Sequence, residues 1–278
     1  MKKLALTLLV VLGVAGMAQG ETLFSCGFEA GEGYSDGLLT GQQGWEDGWE
    51  AGSNLYVSSL NPLTGTQSAR FDFTGIWDGW DIYVHDLNAL KTTGTVTVEF
   101  WMRLEDSGGT GIGDTQGLVT RTGNKQGTEG TYSKEYFMIP AHSDADVTTY
   151  SPDYYRHYDE TTNAGTTNNY MAGITDENEW KGIRIVTDLD NDLIDLYGRS
   201  ESDAGWTSMA TGLLAVYADD GIGSVAFYSL SKYNTTLGYQ GTNDVYLDDI
   251  LVTWVPEPAT ICLLTVGGLG VLIRRRRR

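Results

Sequence analysis

Between residues 95 and 104 the chain alternates without a break. Val96, Val98, Phe100, Met102 and Leu104 form one set, and Thr95, Thr97, Glu99, Trp101 and Arg103 stand between them. A period of two separates the sets onto the two faces of a β-strand, so the first set is predicted to face a core. Shorter stretches of strand character recur at 55–58, 69–73, 82–85, 135–139, 183–187, 193–197, 224–228 and 245–254, bounded by Gly, Asn, Asp and Ser turns. No stretch of a dozen residues holds a helical period. Around ten or more strands at this spacing predict an all-β domain, a sandwich of two antiparallel sheets. Residues 107–131, rich in Gly and Thr, break the pattern and read as a long loop or irregular hairpin.

The two ends follow other patterns. Lys2 and Lys3 precede an uncharged apolar run from Leu4 to Gly16, small residues stand at Gly16, Ala18 and Gly20, and the first acid is Glu21. Residues 1–20 therefore read as a signal peptide, because the run is shorter than the roughly 20 residues a membrane-spanning helix needs. At the other end Pro256-Glu257-Pro258 precedes fifteen uncharged residues, 259–273, and the arginines 274–278. As a short apolar helix this segment would rise about 22 Å, less than the roughly 30 Å hydrocarbon core unless flanking side chains snorkel. The arginines would stay in the cytoplasm, and the prolines would leave an extended segment open to a protease. The arrangement resembles the PEP-CTERM sorting signal. That resemblance implies processing by an exosortase, transient membrane insertion through the C-terminal segment, and a final place on the cell surface or in the extracellular matrix of a Gram-negative bacterium. A plain membrane anchor is the other reading. The domains expected are 1–20, 21–255 and 256–278.

Charge narrows the partners. Of 18 basic and 37 acidic residues, seven basic residues and Glu257 lie in the two ends, which leaves 11 against 36, or −25, on the domain. Such a surface repels nucleic acid and anionic lipid. Aromatic residues at 11% and apolar ones at 41% are enough for a packed core, unlike disordered acidic chains. Cys26 is the only cysteine of the domain, since Cys262 lies in the apolar tail, and no intramolecular disulfide is expected.

The domain resembles a concanavalin A-like (laminin-G-like) jelly-roll sandwich. The residues that carry the likeness are Gly27-Phe28-Glu29, expected on the first strand, Gly44-Trp45, Gln67-Ser68-Ala69-Arg70, Val98-Glu99-Phe100-Trp101, Trp180 opening a strand, and Leu247-Asp248-Asp249-Ile250 on the last. In related carbohydrate-binding modules an early Phe-Glu and a late Asp-Asp meet and hold a structural calcium. The resemblance thus implies a metal site at Glu29 and Asp248, with Asp249 on the opposite face. Calcium takes six to eight oxygens, so backbone carbonyls would have to complete it. Solvated strand-end acids are the alternative.

Catalytic chemistry has little footing. The related glucanases use Glu-x-Asp-x-x-Glu on one strand, and only Glu201-Ser202-Asp203 begins that way, without the third acid. Carboxylates from separate strands leave a glycoside hydrolase as the less favoured reading. His85, His142 and His157 are too scattered for a zinc site. Asp188, Asp190, Asp192 and Asp195 invite a calcium-loop reading, but Leu193 stands where the glycine is needed and Arg199 where the closing glutamate belongs. A hairpin turn at Asp190-Asn191-Asp192 is simpler. Two clusters, Trp45-Glu46-Asp47-Gly48-Trp49 and Trp77-Asp78-Gly79-Trp80-Asp81, combine flat rings with carboxylates. Exposed members among Trp45, Trp49, Trp77 and Trp80 would form a carbohydrate platform; otherwise they fill the core. The sequence therefore reads as an exported, non-catalytic surface or matrix protein that binds carbohydrate, its producer's exopolysaccharide included. A structural or adhesive protein without a sugar site is the alternative.

Overall fold

The computed structural model describes residues 20–49, 55–72, 79–104, 117–123, 136–140, 154–159, 164–170, 179–214, 221–231 and 244–257. Among them run sixteen strands: β1 (Glu21–Cys26), β2 (Gly37–Leu38), β3 (Trp45–Trp49), β4 (Leu55–Ser58), β5 (Ser68–Phe71), β6 (Gly79–Lys91), β7 (Thr95–Leu104), β8 (Gly117–Gly123), β9 (Tyr136–Pro140), β10 (Tyr154–Asp159), β11 (Ala164–Tyr170), β12 (Trp180–Asp188), β13 (Leu193–Ser200), β14 (Thr207–Leu214), β15 (Ile222–Ser231) and β16 (Val245–Val255). They form two antiparallel sheets. One has the order β14-β13-β12-β7-β16-β5-β4-β2, with β1 also paired to β16, and the other has the order β11-β10-β9-β8-β15-β6-β3.

The alternation at 95–104 becomes the middle of the larger sheet. Val96, Val98, Phe100 and Met102 are buried, while Thr95, Thr97, Glu99, Trp101 and Arg103 are only partly covered. Register aligns Val98 with Ile185 of β12 and Val252 of β16, so three neighbouring strands turn the same row inward. Aromatic rings join the two layers. Phe100 meets Phe227 of β15 edge-on at 5.3 Å, and Phe71 of β5 meets Tyr83 of β6 at 5.7 Å. Burying each such side chain contributes about 1.5–3 kcal/mol.

Two expectations about the elements change. β8 lies inside the stretch read as a loop or irregular hairpin. The first strand ends at Cys26, and Phe28 adopts φ 58, so Phe28 and Glu29 turn away from β1 instead of extending it. Glu29 caps a single 3-10 turn, Ala30–Glu32. The signal peptide, Pro258 and the apolar segment lie outside the described residues.

β16 changes neighbours along its length. Its first residues, Val245 to Leu247, pair with β5, and residues Ile250 to Trp254 pair with β1. At the changeover the register against β7 shifts between Asp248 and Leu251, and Asp249 takes φ 47. This is a β-bulge, which inserts an unpaired residue and re-aims the side chains around it.

Candidate functional site

The changeover on β16 leaves a gap between β5 and β1, and three carboxylates stitch a loop into it. Asp248 Oδ2 accepts hydrogen bonds from Leu63 N at 2.9 Å and Thr64 N at 3.3 Å, and Oδ1 accepts from Asp249 N at 2.8 Å. Asp249 Oδ1 accepts from Thr64 Oγ1 at 3.1 Å. Glu29 Oε1 accepts from Thr66 N at 2.7 Å and Gln67 N at 3.0 Å, and Oε2 accepts from Thr66 Oγ1 at 2.8 Å. Gly65 has φ +64, and the Glu29 carboxylate occupies the space a Cβ would need. Glu29 and Asp248 thus hold one segment, residues 63–67, by its backbone N–H groups. Asp249 is not turned to an opposite face, because the bulge cancels the strand's parity.

Electrostatics separates the two acids. Burial pushes Asp248 up to about 7, against the N–H groups of Asp249, Leu63 and Thr64 that favour its ionised form. Glu29 is also penalised by burial, but its bonds from Thr66 and Gln67 outweigh this and hold it below the usual carboxylate range. These residues do not fit a calcium ion. Their oxygens face N–H and O–H donors, which a cation would have to displace, and no group of three or more His, Cys, Asp or Glu among the described residues is arranged to hold a metal. Melting temperatures in calcium and in magnesium at equal ionic strength are accordingly expected to agree. A calcium-specific rise of several degrees, abolished by Glu29→Gln, would contradict this.

Beside these carboxylates and the loop they hold, together a latch, lies an open cleft of about 480 Å³, lined by Asp36, Tyr56, Val57, Ser58, Ser59, Arg70 and Asp72. Its size falls within the roughly 300–1,000 Å³ of small-ligand sites. β2 contributes only two residues to the sheet edge, paired to Tyr56 and Val57, and the walls are left to β4 and β5. Tyr56 stands opposite Arg70 in register. Arg70 Nε donates to Asp244 Oδ2 at 2.7 Å, and one terminal nitrogen lies 2.7 Å from the same oxygen and 3.7 Å from Asp72. Gln67 connects latch and cleft. Its backbone N–H goes to Glu29, and its Nε2 donates to Asp36 Oδ1 at 2.9 Å.

The other sequence candidates fare differently. Trp45 is 1% exposed and packs on Phe28 and Phe227, so it belongs to the core and not to a platform. Trp49 pairs in register with Ile82 and Trp80 with Leu230, on β3 and β6. Trp77 lies outside the described residues, as does His142. His85 stacks on Phe24 at 3.9 Å with Nε2 3.0 Å from Gln43 O. Asp190-Asn191-Asp192 lies in the β12–β13 turn, fastened by Asp188 Oδ1, which accepts from Asp190 N at 3.0 Å and Asn191 N at 3.1 Å. Glu201-Ser202-Asp203 is an exposed turn, not a strand. Burial pushes the Cys26 thiol up to about 12, which keeps it protonated and inert. Sequence reasoning missed Asp36, Tyr56, Asp72 and Asp244, which carry no motif.

Comparison with known proteins bears on the C-terminal motif and on the fold. The PEP-CTERM protein-sorting motif matches residues 255–278. That signal indicates an exported protein of Gram-negative bacteria that is membrane-anchored before processing. No curated protein matches the sequence. Among solved structures, basic winged bean lectin with Tn-antigen aligns with a TM-score of 0.55 at 6% identity, covering 86% of this chain and 100% of that one. Peanut lectin with a 9mer peptide aligns at 0.54 and 7%, covering 86% and 99%. A GH131 β-glucanase catalytic domain from Podospora anserina aligns at 0.47 and 15%, covering 76% and 83%. The lectin likeness shows the concanavalin A-like jelly-roll fold.

Proposed function

We propose that this exported jelly-roll protein is a non-catalytic carbohydrate-binding component of the cell surface or extracellular matrix. Its C-terminal segment holds it in the membrane until an exosortase processes it. The observation that carries the reading is the cleft of Tyr56, Arg70, Asp36 and Asp72 on a lectin-type sandwich. Sugar hydroxyls both donate and accept. The carboxylates of Asp36 and Asp72 accept their protons, the guanidinium of Arg70 donates to their oxygens, and Tyr56 supplies an aromatic surface.

A neutral saccharide suits this site better than an acidic one. Two carboxylates in the cleft and −25 on the domain repel uronate or sulfate groups. Hydrolysis has less support, because a glycosidase needs one carboxyl group in an apolar setting that keeps it protonated. Asp36 is exposed and Asp72 stands near Arg70, so neither has that setting. Displaying the processed protein to neutral, uronate-containing and sulfated polysaccharides is expected to give retention on neutral chains. Retention confined to acidic chains, or none at all, overturns the proposal.

A further inference from the structure

β16 stays in the sheet to its last residue. Val255 still pairs with Thr95 of β7, and the next residue, Pro256, opens the sorting motif, so no linker separates the motif from the folded domain. The turn before β7 lies against this exit. Trp254 Nε1 donates to Thr93 O at 2.8 Å, and Lys91 Nζ sits 4.0 Å over the Trp254 ring and 2.9 Å from the Glu21 carboxylate. Gly94 has φ +82, and a Cβ there would overlap Val255 O and come 3.1 Å from Pro256 Cα. The start of the motif therefore rests directly on a glycine.

The β12–β13 turn holds that glycine in place. Gly94 N donates to the Asp190 carboxylate at 3.0 and 3.1 Å, and Gly94 O accepts from Leu189 N at 2.9 Å. The same Asp190 carboxyl group is hydrogen-bonded to Glu257, the acid of the sorting motif, which pushes Glu257 above the usual carboxylate range, and the charges of Asp190 and Asp188 act in the same direction. When both carboxyl groups are ionised their like charges oppose docking, while the backbone fit on Gly94 favours it. Two opposed terms of this kind leave a contact that opens readily.

We propose that Gly94 and Asp190 form a cradle that docks Pro256 and Glu257 on the folded domain, and that the exosortase draws the motif from the undocked state. Processing then runs at a rate set by the undocked fraction, so the cradle times release from the membrane. This is independent of the saccharide cleft.

Two variants with opposite expected effects test it in the full chain, followed in the producing cell by pulse-chase and mass spectrometry of the C-terminus. Asp190→Asn keeps an acceptor for Gly94 N–H and turns the charge facing Glu257 into an amide that can donate to it. It is expected to slow processing several-fold. Gly94→Ala places a methyl group against Val255 and is expected to speed processing several-fold while the domain still melts cooperatively. Glu257 is left untouched because it belongs to the signal the protease reads. Slower processing of the first variant with faster processing of the second supports the cradle, and any other pair of results overturns it. If Gly94→Ala does not fold, Asp190→Asn decides alone: slower processing supports the cradle, and an unchanged or faster rate overturns it.

Discussion

Val98→Asp is expected to leave the domain unfolded. Val98 is 1% exposed on the central strand β7, with Ile185 and Val252 opposite it on the two neighbouring strands. A carboxylate there meets no donor that the apolar row supplies, and an unpaired buried charge costs several kcal/mol against a total stability of about 5–15. Circular dichroism should show loss of the cooperative melt. A variant that melts like the wild type would take β7 out of the core and dismantle the assignment of the sheets.

Asp248→Ala is expected to produce the next largest loss. It removes the acceptor of Leu63 N, Thr64 N and Asp249 N at the changeover on β16. The three N–H groups are partly buried or exposed, so each loses less than the about 1–3 kcal/mol of a fully buried donor, and a total near 3 kcal/mol is the upper expectation. For a domain of this size that lowers the melting temperature by roughly 6–12 °C. The pH dependence has a definite sign. Burial raises Asp248 to about 7 from 3.8, so the folded state binds its proton more tightly than the unfolded state does. Its stabilising contribution is complete below about pH 4, is lost as pH rises toward 7, and is level above that. The gap between wild type and Asp248→Ala should therefore narrow from pH 4.5 to 7.5. Glu29 and the other acids titrate in both proteins and cancel from the difference. A gap that widens with pH would contradict burial as the dominant influence on Asp248.

The parts of this fold that were legible in the sequence are those with one buried and one wetter face. The strand at 95–104 and the strand at 55–58 have the predicted limits, because alternation reports burial on one side only. β11, with the sequence AGTTNNY, has no apolar alternation to report, and its pairing with β10 is what makes it a strand. Glu29 and Asp248 were legible only through resemblance to a family. They converge through a loop that belongs to neither strand, and the bulge at Asp249 reverses the parity a regular strand would have. Trp45 stayed open between core and platform because an aromatic residue flanked by acids looks the same in either place. The cleft was not legible. Asp36, Tyr56, Arg70 and Asp72 come together because β2 is two residues long, and nothing local to any of the four announces that.

The central claim is that the cleft binds a neutral saccharide, and titration calorimetry tests it most directly. The processed protein would be titrated with an oligosaccharide cut from whichever neutral polysaccharide it retains, alongside Tyr56→Ala and Asp72→Asn. Each variant is expected to keep the wild-type melting temperature within a few degrees and to weaken binding roughly tenfold or more, about 1.4 kcal/mol. Wild-type affinity in both folded variants would place the sugar elsewhere on the sandwich and contradict the account.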